Sequence, residues 1–356
     1  MINRRQITTA GLLAATGLAT GASAQQSIRL TAVAGHPPVF LWVKTMDEFF
    51  IPEVDKLLAA SGDKNKLEWT KAWGGTLVKL GGESKGIVDG VADLGFVSTV
   101  FETAKFPLQN ICYATPFSTG DIALVTRLIN ELQESIPAMG QAWTKNGLVY
   151  LGGAALDGYN MWTNFPLRTV EDLKGKKIIA PGPAANWIKG TGAVAVAGNL
   201  NTYYEDIKSG VADGVITFAT GAWGAKVHEV APYITVVHFG APYAGGLCVN
   251  KKRFDKFSPA LQKAMREAGA GYTQRFAAAQ TAAAATMMKN MQDAGAKISE
   301  MPAAERKRWA DTLPPIAKIW AADVESKGMP GNQVLQAYID GLKKAGVHLP
   351  RDWAAA

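Results

Sequence analysis

The spacing of apolar positions along this chain shifts repeatedly between a period of two and one near four, which predicts alternating strands and helices. Ser27 to Val33 alternates and predicts a first strand, turned sharply by Gly35-His36-Pro37-Pro38. Phe40 to Leu58 places Trp42, Met46, Phe49, Phe50 and Val54 at helical spacing, so these side chains are expected mostly in a core. Lys66 to Ala72 predicts a second strand that ends at Trp73-Gly74-Gly75, where two glycines let the backbone bend. A second round runs through Leu148 to Ala155, Tyr159 to Asn164, and a short strand entering Pro181-Gly182. Ala184 to Gly190 is expected to be helical, and Asn201 to cap the helix that follows. Further strands are expected at 215–218, 234–239 and 246–250. Ser258-Pro259 then reads as an N-cap with proline in the first turn of a long Ala-rich helix reaching about Asp293, with Gly269 to Gly271 a candidate interruption.

One unit occurs twice. Lys85-Gly86-Ile87-Val88-Asp89-Gly90-Val91-Ala92-Asp93 is echoed by Glu205-Asp206-Ile207-Lys208-Ser209-Gly210-Val211-Ala212-Asp213. Each copy follows a short helical segment, stops it at a glycine suited to the left-handed position, and runs into an apolar strand. Two such units predict two similar α/β lobes with largely parallel sheets and a ligand cleft between them.

The first 24 residues read as an export signal, with Arg4-Arg5 as basic start and Ala22-Ser23-Ala24 as cleavage site; the arginine pair also fits the twin-arginine route. Export implies the periplasm. The rest divides into a first lobe of 25–154 with about 242–275, and a second of 155–241 with about 285–350. Lys and Arg number 37 against 30 Asp and Glu, a net charge of +7 that falls to +5 once Arg4 and Arg5 leave with the leader. These charges are scattered without interleaved aromatics, which argues against nucleic acid as a partner. Cys112 and Cys248 are too few for a disulfide framework; two buried free thiols are expected, with a bond between them as the alternative.

Signatures of catalysis are thin. His36, His228, His238 and His348 lack partners at metal-ligand spacing and are assigned to surface or packing roles. Gly190-Thr191-Gly192-Ala193-Val194-Ala195 matches a relaxed dinucleotide fingerprint but follows a helical segment instead of a strand, so no cofactor is expected. What remains is aromatic: Trp73, Tyr159, Trp162, Phe218 and Trp223 fall where a cleft would have its walls, with Ser98 and Thr217 at the ends of the echoed strands.

The order of several segments resembles the extracytoplasmic solute receptors of TRAP transporters, the DctP-type family. They are Arg168-Thr169-Val170-Glu171-Asp172-Leu173-Lys174-Gly175-Lys176-Lys177-Ile178, Tyr203 to Gly214, Val230 to Thr235, Asn250 to Phe254, and Ser258 to Gln262. The resemblance implies a two-lobed α/β periplasmic binding protein without catalytic activity, whose long helix bridges the lobes. It also implies a cleft that closes on a small organic acid and a membrane permease as partner, with the receptor a monomer or homodimer. Relatives grip a carboxylate with an Arg two residues after the second Lys of the Lys-Gly-x-Lys strand, where this chain has Ile179. A second Arg falls at Tyr159, an Asn at Thr217 beside Phe218, and a Glu at Ser98. The expected binding residues are therefore Trp73, Ser98, Tyr159, Trp162, Ile179, Thr217 and Phe218, and the expected solute is an aromatic or apolar acid. A neutral or amine solute, with Asp157 or Glu83 as counter-charge, is the alternative, as are Lys177 or Lys189 as substitute anchors; a periplasmic enzyme is a more distant one.

Overall fold

The computed structural model describes residues 27–355, so the expected leader and its Arg4-Arg5 pair lie outside the described residues. The strands gather into two sheets. β1 (Ser27–Val33), β2 (Lys66–Ala72), β3 (Leu94–Val97), β4 (Leu148–Gly152) and β10 (Gly246–Asn250) form one, in the order β2-β1-β3-β10-β4. β5 (Tyr159–Thr163), β6 (Lys177–Ile179), β7 (Val194–Val196), β8 (Gly214–Phe218), β9 (Tyr233–Gly240) and β11 (Lys297–Glu300) form the other, in the order β11-β9-β5-β8-β6-β7.

Both sheets are mixed instead of largely parallel. β2-β1-β3 and β7-β6-β8 are parallel, but β10 and β5 each run antiparallel to both neighbours. The reason is topological: β5 and β10 are each reached from the other sheet through a short crossing segment, whereas β11, reached through the helix Pro259–Asp293, is parallel to β9. Parallel placement needs a longer crossover. The two crossing segments pair with each other as an antiparallel ribbon, Leu156 N donating to Pro242 O at 2.9 Å and Ala244 N to Ala154 O at 3.1 Å. Glycine is required here: a Cβ on Gly153 would stand 2.1 Å from Gly245 O.

A third connection is the helix Pro259–Asp293, 35 residues and about 50 Å long. Ser258 Oγ caps it by accepting from Leu261 N at 3.2 Å. The helix runs unbroken through Gly269 to Gly271, because Gly269 serves a close approach: a Cβ there would come 2.3 Å from Leu151 O in β4. It packs on β4 and the Ile51–Ala60 helix of the first sheet and on the Ala219–Gly224 helix of the second, and so bridges the lobes. Beyond it the C-terminal stretch divides. β11 joins β9, and the Ala303–Thr312 helix packs on the turn 170–173, whereas the Ile316–Ser326 and Gly331–Lys344 helices pack on Ile111–Ala114, the last of them also on Ile122–Ser135.

Local departures have local causes. The helix expected over Phe40 to Leu58 is split by a π-helical turn at Met46–Phe50, just before Pro52, which has no N–H to give to the Glu48 carbonyl. Ala184 to Gly190 is mostly a 3-10 turn, Gly182–Ile188. Cys112 and Cys248 are buried and free.

The echoed units adopt the same geometry. Helices Glu83–Val88 and Tyr203–Lys208 end ahead of Gly90 and Gly210, at φ 79° and 76°, and feed β3 and β8. In each, the Asp of Gly-Val-Ala-Asp pins the neighbouring parallel strand twice. Asp93 N donates to Thr31 O at 2.9 Å and its Oδ2 accepts from Thr31 N at 2.7 Å. Asp213 N donates to Lys177 O at 2.7 Å and its Oδ2 accepts from Lys177 N at 2.8 Å.

Candidate functional site

A cavity lies between the sheets, at the carboxyl ends of parallel strands from both, the usual place for a ligand in open α/β sheets. His36 follows β1, Ser98 follows β3, Pro181 follows β6 and Phe218 ends β8. The crossing ribbon supplies Leu156 and Ala244 as floor. The walls are aromatic: Trp42, Phe96, Phe101 and Tyr113 from the first lobe face Tyr159, Tyr203 and Phe218 from the second.

These rings hold each other. Tyr159 and Phe218 sit opposite one another on β5 and β8 and stack at 5.2 Å between centroids, 16° from coplanar. Trp42 approaches Phe218 at 6.2 Å and stacks on Phe40 at 5.1 Å. The Tyr113 and Tyr159 hydroxyls are 3.4 Å apart, and Tyr113 lies against Trp187 at 5.5 Å, whose indole N–H donates to Tyr113 O at 2.7 Å. Burial raises the pKa of Tyr113, Tyr159 and Tyr203 well above the ordinary phenol value, so all three are neutral donors. No Lys, Arg, Asp or Glu lines the cavity.

The lobes touch around it. Asn201, expected as a helix cap, instead donates its Nδ2–H to Gly35 O at 3.1 Å, and Thr202 takes the cap position without a side-chain bond. A Cβ on Gly182 would meet Val100 O at 2.5 Å, and one on Gly224 the Phe40 ring at 3.0 Å. The walls leave about 30 Å³ free.

Of the seven residues expected at the site, Ser98, Tyr159 and Phe218 line this cavity. Trp162, Ile179 and Thr217 do not line it. Trp162 and Ile179 belong to a separate core with Val215 and Ile234, and Thr217, between Ile216 and Phe218, points the same way as Val215. Trp73 is partly buried against the first core, and Trp223 stacks on His228 at 5.0 Å. Asp157 is bound to Thr220, whose hydroxyl also meets Gln280 of the long helix at 2.7 Å; burial raises its pKa to about 6. Glu83 accepts from Gly35 N at 3.2 Å and from Gly81 N at 2.7 Å, and burial raises its pKa to about 8. Neither carboxylate lines the cavity, and Lys177 and Lys189 are exposed, Lys177 donating to Gly210 O at 2.7 Å.

Sequence reasoning passed over His36, Trp42, Phe96, Phe101, Tyr113 and Tyr203. A signal existed for His36, which stands just past the carboxyl end of a predicted parallel strand. The others sit in helices or apolar runs, where a wall residue and a core residue look alike.

Among the described residues no three His, Cys, Asp or Glu side chains gather as metal ligands, and no helix is long and apolar enough to cross a membrane. The family model for bacterial extracellular solute-binding protein, family 7 (DctP) matches residues 65–323. Solved TRAP solute-binding proteins share the fold. One from Rhodoferax ferrireducens T118, in complex with copurified benzoate, is 18% identical with a TM-score of 0.79, covering 90% of this chain and 98% of its own. Another, from a marine metagenome and described as specific for aromatic acid ligands, holds 3-hydroxybenzoate; it is 18% identical with a TM-score of 0.77, over 90% and 99%. A third, from Bordetella bronchiseptica with bound (R)- and (S)-mandelate, is 21% identical with a TM-score of 0.75, over 89% and 99%. Two mixed sheets joined by a crossing ribbon and a bridging helix, with a match spanning most of the sequence, show that this chain belongs to the DctP family, the solute-binding receptors of TRAP transporters.

Proposed function

We propose that this receptor works in the periplasm, captures a small aromatic monocarboxylic acid by hinge closure, and delivers it to the membrane permease of a TRAP transporter. The observation that carries this reading is the facing of Trp42 against the Tyr159–Phe218 stack in a cavity without a lining cation. Flat rings take up a flat solute with little loss of freedom, and offset stacking adds about 0.5–1.5 kcal/mol per pair beyond buried area. A linear dicarboxylate would bring two charges into walls that offer neither a fork nor a point charge, at a cost of several kcal/mol. The solved relatives that hold benzoate, 3-hydroxybenzoate and mandelate support the same class.

Closure follows from the geometry of the walls. With about 30 Å³ left, a ring-sized solute has to enter while the lobes are apart and then hold them slightly wider than here. The amine alternative loses its counter-charge, since Asp157 and Glu83 are both engaged outside the cavity lining.

A thermal-shift panel tests the reading. Benzoate, 3-hydroxybenzoate and mandelate are expected to raise Tm in a concentration-dependent way, while succinate and tyramine leave it unchanged. Stabilisation by tyramine alone, or by succinate alone, overturns it.

A further inference from the structure

His36 is the one cavity side chain with two strong polar atoms and no use for either. It is 3% exposed, and neither Nδ1 nor Nε2 has a partner. A buried polar atom left unsatisfied costs on the order of 1–3 kcal/mol. Two of them on the wall of a cavity point to a partner that arrives with the solute.

The ring is firmly placed. Phe40 and Trp42 meet it edge to face at 5.4 and 5.2 Å. Its backbone O accepts from Gly74 N at 2.9 Å, and the preceding Gly35 is bound by Glu83 on one side and by Asn201 of the other lobe on the opposite side. The charged groups on the packed elements are all occupied or outside. Lys44 and Lys79 are exposed, Glu83 is held by backbone N–H groups, and Glu102 is held by Ser84 and Lys105. Tyr113, Tyr159 and Tyr203, which share the cavity, are neutral.

We propose that His36 anchors the carboxylate of the solute and takes up one proton from solution as the solute binds, so that an imidazolium–carboxylate pair exists only in the loaded pocket. This rests on the aromatic-acid reading above and gives the acid the counter-charge that Ile179 does not supply. The balance is simple: a neutral imidazole, a carboxylate and a proton from bulk water become an ion pair, and the pocket carries no net charge before or after.

Burial lowers the pKa of His36 in the empty cavity to about 4, so it is neutral at physiological pH. A carboxylate in contact favours the charged ring and raises that value. The loaded state then binds a proton that the empty state lacks. Affinity therefore rises as pH falls between the loaded and empty values, by up to about tenfold per pH unit. An arginine anchor is charged throughout this range and gives no such slope.

The test is calorimetric titration of benzoate and 3-hydroxybenzoate into the mature protein at pH 6 and pH 8, each in two buffers of different ionisation enthalpy. The expected result is uptake of about one proton per solute and an affinity up to about a hundredfold higher at pH 6. His36→Gln, which keeps a hydrogen-bonding amide but does not titrate, is expected to bind at least about tenfold more weakly at pH 6 and without proton uptake. Carbon-13 spectra of labelled histidines in the unmodified protein give a second readout, with His36 neutral when empty and imidazolium when loaded. Binding of either acid without proton uptake, or uptake that survives in His36→Gln, overturns the role of His36 alone. Failure of both acids to bind at either pH overturns the reading of the site and the role of His36 with it.

Discussion

The two faces of the second sheet use the same strands for opposite purposes. Tyr159, Met161, Ile216 and Phe218 turn toward the main core, with Tyr159 and Phe218 reaching the cavity. Trp162, Ile179 and Val215 turn to the other face, into a cluster with Ile207 and Ile234 that reaches the cavity through Tyr203, and Thr217 shares their side. Side chains alternate along a strand, so a single step in sequence moves a residue from the cavity wall to a core whose strand residues do not line it. Burial does not distinguish the faces, since Phe218 and Trp162 are both almost wholly enclosed. The difference lies in what is on the other side of each ring: a cavity in one case, packed protein in the other.

The contrast is sharpest for large side chains. Trp162→Ala should cost about 3–5 kcal/mol of stability, read as a shift in urea midpoint, with solute affinity retained in the fraction that folds. Loss of binding at unchanged stability would place Trp162 at the site and erase the distinction. Phe218→Ala removes half of the Tyr159 stack and should weaken binding of an aromatic acid by roughly a hundredfold, about 2–3 kcal/mol. Titration of a series of ring-substituted benzoates measures it, and unchanged affinity would return Phe218 to the core.

The first lobe supplies a test on a buried carboxyl beside the cavity loop. Glu83 holds Gly35 N, and its pKa is raised from 4.5 to about 8 by burial. The folded protein therefore keeps this proton longer than the unfolded chain does. Stability should fall as pH rises from about 4.5 to 8 and level off above that. Glu83→Gln should flatten this part of the Tm profile, and a profile unchanged by the substitution would show that Glu83 is ionised in the fold. The smallest effect belongs to Thr217, whose buried hydroxyl has no partner. Thr217→Val relieves that burial and should raise stability by up to about 1 kcal/mol; a loss of binding instead would bring Thr217 to the solute.

Much of the frame was readable because it rests on local rules. β1 and β2 begin and end at the residues where alternation starts and stops, and Ser258-Pro259 opens the long helix. The echoed Gly-Val-Ala-Asp makes the same turn and the same paired bonds in both lobes. The antiparallel entry of β5 and β10 was not readable, since it depends on which sheet the chain is leaving. Nor was the parity of Trp162 and Ile179: a fully buried strand is apolar on both faces, so periodicity gives no sign of which face meets the cavity. His36 was hidden for another reason. A histidine in a Gly-His-Pro-Pro turn looks solvated until Asn201 of the other lobe and the rings of Phe40 and Trp42 close over it.

The indole groups of this protein differ in a way that light can report. Trp187 and Trp309 each commit the N–H to a backbone carbonyl, at 2.7 Å in both cases, while that of Trp42 is buried at the cavity wall without an acceptor. An oxygen of the solute that reaches Trp42 would polarise one emitter and leave the others as they were. Occupancy of the receptor would then be written into its own fluorescence, in a component that Trp42→Phe would silence.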